Sequence, residues 1–267
     1  MRLIRVFPRR TKATPEDPLA YVGQPDLFAK SDAVHISVTF TWDIPAAEQL
    51  AEQWRHVAPV TIGGPATGEA GGDFITGQYI KEGYVITSRG CPNHCWFCSV
   101  WKREGQTVRE LPITSGYNVL DDNLLACSEP HIRAVFDMLS CQYHRAQFTG
   151  GLEAARLKSW HVDLLRRLRP KQVFFAYDTP DDIEPLRQAG TMLLDAGFTR
   201  ASHTLRAYVL IGYRGDTFER AEIRLQQTLA AGFTPMAMLW RDSHGERRED
   251  WRKFQKQWAR PAIIHHI

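Results

Sequence analysis

The chain has 267 residues, enough for one large domain or a domain with an appendage at roughly 150 residues per domain. Hydrophobic residues make up 43% and charged residues 24%, ordinary globular usage that excludes wholesale disorder and allows a core without disulfide staples. Lys+Arg 33 against Asp+Glu 30 gives a net charge of +3, too mild to indicate nucleic acid by itself, and no apolar run approaches the roughly 18 residues of a membrane-spanning helix.

Residues 1–33 are rich in Pro, Arg and Asp and predict an extended arm without a core of its own. The opening MRLIRVFPRRTK has charges and a proline where a signal peptide needs an apolar stretch, so a cytoplasmic protein is expected. VHISVTFTW (34–42) alternates with the strand period. Asp43 and Pro45 then supply an N-cap and a first-turn proline to the helix-forming run AAEQLAEQWRH. PVTIGG (59–64) reads as a second buried strand, which completes a βαβ unit with a parallel pair. Residues 65–83 form a glycine-rich loop.

From Tyr84 onward, apolar strand-like runs recur: YVITS (84–88), YNVLD (117–121), AQFTG (146–150), QVFFAYD (172–178), RAYVLIG (206–212) and PMAMLW (235–240). Between the later ones, EPHIRAVFDMLSCQ, EAARLKSWHVDLLRRLR, DIEPLRQAGTMLLDAG and DTFERAEIRLQQTLAAG carry apolar residues at helical spacing. This alternation predicts a parallel α/β sheet. Six strands are too few for a closed eightfold barrel, so the expected architecture is a partial (β/α)6 TIM-like barrel with a small N-terminal βαβ extension; a doubly wound sheet is the alternative. Either places chemistry at the C-terminal strand ends. The 18 residues between Cys98 and Tyr117 lack helical periodicity, so the first barrel helix is short or missing. In the tail, Trp251, Phe254 and Trp258 fall on one helical face, while Arg241 to Ile267 holds seven basic and four acidic residues. That helix reads as a lid packed on the barrel or as a nucleic-acid surface. The expected divisions are 1–83, 84–240 and 241–267.

Three of the five cysteines crowd into TSRGCPNHCWFCSVW as Cys91-x3-Cys95-x2-Cys98, just after the first barrel strand. Such crowding favours a metal or cluster over disulfides in a reducing compartment. Three thiolates can hold three irons of a [4Fe–4S] cluster and leave the fourth iron open. Zinc with His94, His131 or His144 as fourth ligand is an alternative, as is a closed electron-transfer cluster completed by Cys127 or Cys141. Outside those alternatives, Cys127 and Cys141 read as small buried hydrophobes.

CxxxCxxC with an aromatic residue before its last cysteine, ahead of a βα array, resembles the radical SAM superfamily. The resemblance covers 84–240 and implies a [4Fe–4S] cluster on Cys91, Cys95 and Cys98. It further implies S-adenosylmethionine bound at the open iron, an external electron donor of flavodoxin or ferredoxin type, and a 5′-deoxyadenosyl radical that abstracts a substrate hydrogen. Cofactor contacts implied in this way are Phe97, the Gly150–Gly151 pair, Tyr177, Asp178, and Ile211–Gly212. The usual GGE is interrupted here by Leu152 ahead of Glu153. The bland readings are that the glycines merely turn the chain and that Asp178 is a helix N-cap. Asp121, Asp122 and Asn123 are candidates for substrate or cofactor contacts, against simple turn chemistry.

PVTIGGPATGEAGGDFITGQY followed by TSRGCP is also similar to the junction between a cobalamin domain and the barrel in cobalamin-dependent members. The short N-terminal unit and the absence of an Asp-x-His-x-x-Gly pattern imply a trimmed remnant that binds no cobalamin. For the substrate, Arg206, Trp240 and Arg241 suit an anionic, planar ligand and so a nucleotide, nucleobase or nucleic acid. The alternative there is a core Trp240 with arginines paired to Asp242 or Glu246. A peptide-modifying enzyme and a non-catalytic iron–sulfur or zinc protein remain alternatives for the whole chain.

Overall fold

The computed structural model describes residues 2–242, 244–245 and 248–258; the tail beyond Trp258 and the suggested partner Glu246 lie outside the described residues. The chain forms two compact units, Met1–Gly116 and Tyr117–Ile267. The cysteine segment falls within the first of these ranges.

In the first unit, β1 (Leu3–Phe7), β2 (Ala20–Val22), β3 (Ala33–Ser37), α1 (Ile44–Trp54) and β4 (Val60–Gly63) form a parallel sheet in the order β2-β1-β3-β4. The βαβ unit is present, but the expected coreless arm is a correction: it supplies β1, an inner strand of the sheet. Ile4 and Val6 point into a core with Val34, Ile36, Leu50 and Trp54. Arg5, between them, faces the other side and donates to the Gly77 and Gln78 carbonyls at 3.0 and 2.6 Å and to Asp17. A buried strand carrying a paired arginine looks like surface in composition. Asp43 precedes α1 but caps nothing with its side chain, because its carboxylate takes the Arg9 guanidinium.

The rest of this unit holds β5 (Tyr84–Val85), β6 (Ser88–Arg89), α2 (Val100–Arg103) and β7 (Arg109–Glu110). The single turn of α2 is the short first helix that the missing periodicity implied.

The second unit alternates β8 (Asn118–Val119), α3 (Glu129–Ser140), β9 (Gln147–Phe148), α4 (Ser159–Leu168), β10 (Gln172–Tyr177), α5 (Ile183–Asp195), β11 (Leu205–Ile211), α6 (Phe218–Ala230), β12 (Thr234–Leu239) and α7 (Glu249–Trp258). Its five strands pair in parallel in chain order, β8 through β12. Side chains alternate across them. Val119, Phe148, Val173, Phe175 and Val209 are buried on one face, with Phe175 set against Phe233 at 5.2 Å between ring centres. The opposite face carries Phe174 stacked on Tyr208 at 4.5 Å, and the partly exposed Met236 and Met238. Such a sheet, with helices returning each strand in the same direction, is the expected α/β architecture.

The tail helix α7 is amphipathic as its spacing predicts. Trp251 is 1% and Trp258 3% exposed, and Phe218 packs 4.5 Å from Trp251 and 5.3 Å from Phe254. Gln255 fixes the helix to β12 through the Ala237 carbonyl at 2.9 Å. Arg252, Lys253 and Lys256 face solvent. This is the packed lid, with a solvated basic face. Trp251→Ala is expected to lower the stability of this unit by about 3–5 kcal/mol, while Lys253→Ala stays within about 0.5 kcal/mol. Urea denaturation of the two variants checks both, and equal effects would contradict the packing.

Candidate functional site

The cysteine loop is the turn of an antiparallel hairpin. Its base is β6 paired with β7, Ser88 opposite Glu110 and Arg89 opposite Arg109. Within the loop, Cys98 N–H donates to the Cys95 carbonyl at 3.1 Å, and Cys91 N–H donates to the Gly105 carbonyl at 3.3 Å. Trp101 adds a bond from its indole N–H to the Cys95 carbonyl at 3.1 Å. All three cysteines are half-buried. Phe97 is half-buried and edge-on to the exposed Trp96 at 5.4 Å, while His94 lies 5.2 Å from Trp101.

Beneath the loop sits Glu104, its side chain 1% exposed and ringed by cations. Arg103 Nε lies 2.9 Å away, Arg109 3.0 Å and Arg89 3.7 Å. The Gly71 amide donates to the same carboxylate at 3.0 Å, and Arg89 and Arg109 reach on to the Gly72 and Gly71 carbonyls. Glu104 therefore ties the end of α2, both hairpin strands and the glycine-rich segment to one point. No periodicity or motif announces it, because three arginines spread over 89–109 read as ordinary surface charge.

In the second unit, the predicted residues fall at the strand ends in different ways. A Cβ on Gly150 would lie 2.5 Å from the Asp121 carbonyl, so the glycine lets β9 end against β8. Gly151 has φ +95° and open space where its Cβ would be, leaving that backbone approachable by a ligand. Tyr208 donates to the neighbouring Thr149 carbonyl at 3.0 Å. Glu153, two residues past the glycine pair, is held by Asn123 at 2.7 Å and Arg156 at 2.5 Å, and so bridges the ends of β8 and β9.

Asp178 corrects one alternative: it caps no helix. Thr179 and Asp182 hold the cap positions, and the Asp178 carboxylate accepts the Leu210 N–H at 3.1 Å from β11. Burial and the nearby Asp182 carboxylate push its acid group up to about 7, against the pull of that N–H and of Arg224. Tyr177, adjacent, points to the helix side, where its hydroxyl donates to Gln227 at 2.5 Å. At the end of β11, Gly212 has φ +72°, and its N–H donates to Asp216 at 2.8 Å. Asp216 is buried against Arg224 at 2.7 Å, and Arg224 also donates to the Leu210 carbonyl at 2.9 Å. Ile211 before it is buried, and Trp240 N–H donates to the Ile211 carbonyl at 2.9 Å.

Of the substrate candidates, Trp240 and Arg241 are half-buried just past β12. Arg206 lies at the start of β11. Its guanidinium donates to the His203 carbonyl at 3.1 Å and stacks over Phe174, far along the strand from Gly212. Asp121 and Asn123 are buried and Asp122 half-buried after β8. Two cysteine expectations change as well. Cys141 is exposed rather than buried, and Cys127 is grouped with Asp121 and His131, their ligand atoms all within 4.8 Å of one another. In the sequence these three stand as Asp-x5-Cys-x3-His. His144, the other zinc candidate, packs against Tyr117 at 4.7 Å.

No protein-family model matches the chain, and no curated protein does. A solved structure does: the radical S-adenosylmethionine methyltransferase TsrM from Kitasatospora setae, with cobalamin and a [4Fe–4S] cluster bound. The match covers 89% of this chain and 74% of that one, with a TM-score of 0.63 at 11% sequence identity. The chain shares its fold with that structure. Three soft sulfur donors on one tied loop suit iron–sulfur chemistry rather than a hard cation.

Two expectations follow from these contacts. Glu104→Ala leaves three guanidinium groups without their buried counter-charge and is expected to cost about 3–5 kcal/mol. Limited proteolysis should then cut within 90–108 much faster than in the parent; unchanged cleavage and stability would show that Glu104 does not hold the loop. For Asp178, the folded acid retains its proton from about pH 4 to about 7 while the unfolded one does not. Stability therefore falls as pH rises through that window, by up to roughly 4 kcal/mol. Asp178→Asn should flatten the curve between pH 4 and 7 in denaturant titrations, and an unaltered slope would contradict the burial.

Proposed function

We propose that the chain is a radical S-adenosylmethionine enzyme with one [4Fe–4S] cluster on Cys91, Cys95 and Cys98. The observation that carries this reading is the three-cysteine hairpin loop in a chain that shares its fold with TsrM. With three protein thiolates, one iron is left for S-adenosylmethionine, and the bound cluster would supply the electron that splits its sulfonium into methionine and a 5′-deoxyadenosyl radical. The chain's own part is to hold and shield. Phe97 offers an aromatic edge for adenine on the cysteine loop, the Gly151 turn offers an open backbone for an amino group, and the Gly212 turn is fixed by Asp216 and Arg224. Asp178, protonated near neutrality, can donate a hydrogen bond to a ribose or carboxylate oxygen as well as accept one. Electrons come from an external flavodoxin or ferredoxin, consistent with the cytoplasmic location that we infer.

For the substrate, a nucleotide or nucleobase-bearing molecule is the preferred class, on Trp240 and Arg241. A second reading, methyl transfer with cobalamin, is favoured by the four-stranded parallel sheet of the first unit and by the cobalamin in TsrM. The two readings part on one preparation. The first expects no cobalamin to remain with the purified protein; stoichiometric retention, with S-adenosylhomocysteine among the products, would establish the second.

The cysteine assignment has its own test. After anaerobic reconstitution the parent should hold about four irons. Cys91→Ala, Cys95→Ala and Cys98→Ala should each lose most of that iron, and Cys127→Ala with Cys141→Ala should lose none. Loss of iron in the last variant would overturn the ligand set.

A further inference from the structure

Asp121, Cys127 and His131 come from one short stretch of the second unit, and local structure fixes each of them. Asp121 lies two residues past the end of β8. Cys127 ends a 3-10 turn at Leu124–Ala126, its N–H donating to the Leu124 carbonyl at 3.1 Å. His131 sits in the first turn of α3, where its own N–H is taken by the N-cap Ser128 hydroxyl. The carboxylate, thiol and imidazole thereby converge, with every ligand atom within 4.8 Å of the others. Asp121 is 2% exposed and His131 9%, while Cys127 is half-buried.

We propose that these three side chains bind a divalent ion of zinc type, at a site separate in sequence from the cysteine loop and independent of its cluster. One sulfur, one imidazole nitrogen and one carboxylate oxygen are the borderline-soft mixture zinc takes. A tetrahedral ion with bonds of about 2.0–2.3 Å needs its donors about 3.3–3.8 Å apart, so side-chain adjustment of about 1 Å completes the geometry. The charges balance: a thiolate and a carboxylate cancel the two positive charges, which relieves the cost of withdrawing them from water. Binding releases the Cys127 proton, so affinity rises with pH. Three protein ligands leave the fourth position to water or a substrate atom, as in a catalytic rather than a closed site.

The test titrates zinc into the reconstituted full chain, then measures metal content after gel filtration and the zinc K-edge absorption spectrum. The expected result is one zinc per chain beyond the cluster iron, with a single sulfur in its first shell. Cys127→Ala and His131→Gln should each weaken zinc binding by at least about tenfold. Their iron content should be unchanged, and thermal unfolding of the metal-free variants, followed by circular dichroism, verifies that they fold. Three sulfurs around the zinc would mean that it sits on the cysteine loop, and would overturn the proposal. So would parent-like zinc binding in the two folded variants, or no zinc retained by the parent. Failure of the cluster assignment would appear separately, in the iron.

Discussion

A carboxylate withdrawn from water needs partners for its charge, and Glu104 has three guanidinium groups and an amide N–H around it. Because those partners come from β6, α2, β7 and the glycine-rich segment, one buried charge sets the geometry of the whole loop base. The cysteines then need little regular structure of their own. A cluster ligand loop has to wrap around a bulky inorganic group, and helix or strand would aim successive side chains in the wrong directions. A rigid base beneath an irregular loop meets both needs.

The second unit solves a different problem by strand alternation. Phe148, Val173, Phe175 and Val209 are spent on the helices, which frees the opposite side chains and the strand ends for polar work. At the ends, backbone is as important as side chains. Gly150 permits a close approach to β8, Gly151 makes an open turn and Gly212 a left-handed one. Behind that surface, Asp216 and Arg224 form a buried pair that binds both the Gly212 N–H and the Leu210 carbonyl, so the turn is held from the helix side.

Much of this was legible in the chain. Apolar periodicity located the helices α1 and α3 to α6 and the strands between them, and the Trp251, Phe254, Trp258 spacing gave the packed tail. Part of the rest is hidden because charge that is buried with its partner looks like surface. Arg5 disguised β1 as an arm, Glu104 and its arginines passed for solvated residues, and Asp216 with Arg224 did the same. The direction of β11 sets Arg206 at its start and Ile211 at its C-terminal end. Cys127 was judged from its apolar neighbours in sequence, whereas the turn before α3 carries it to Asp121 and His131.

The claim that matters most is that the cysteine loop supports S-adenosylmethionine cleavage rather than merely displaying a metal. The direct measurement is the product balance of the reconstituted, reduced protein incubated anaerobically with S-adenosylmethionine. The account predicts methionine and 5′-deoxyadenosine in equal amounts, both abolished in Cys91→Ala. A protein that assembles its iron–sulfur cluster, stays reduced and leaves S-adenosylmethionine intact would contradict it.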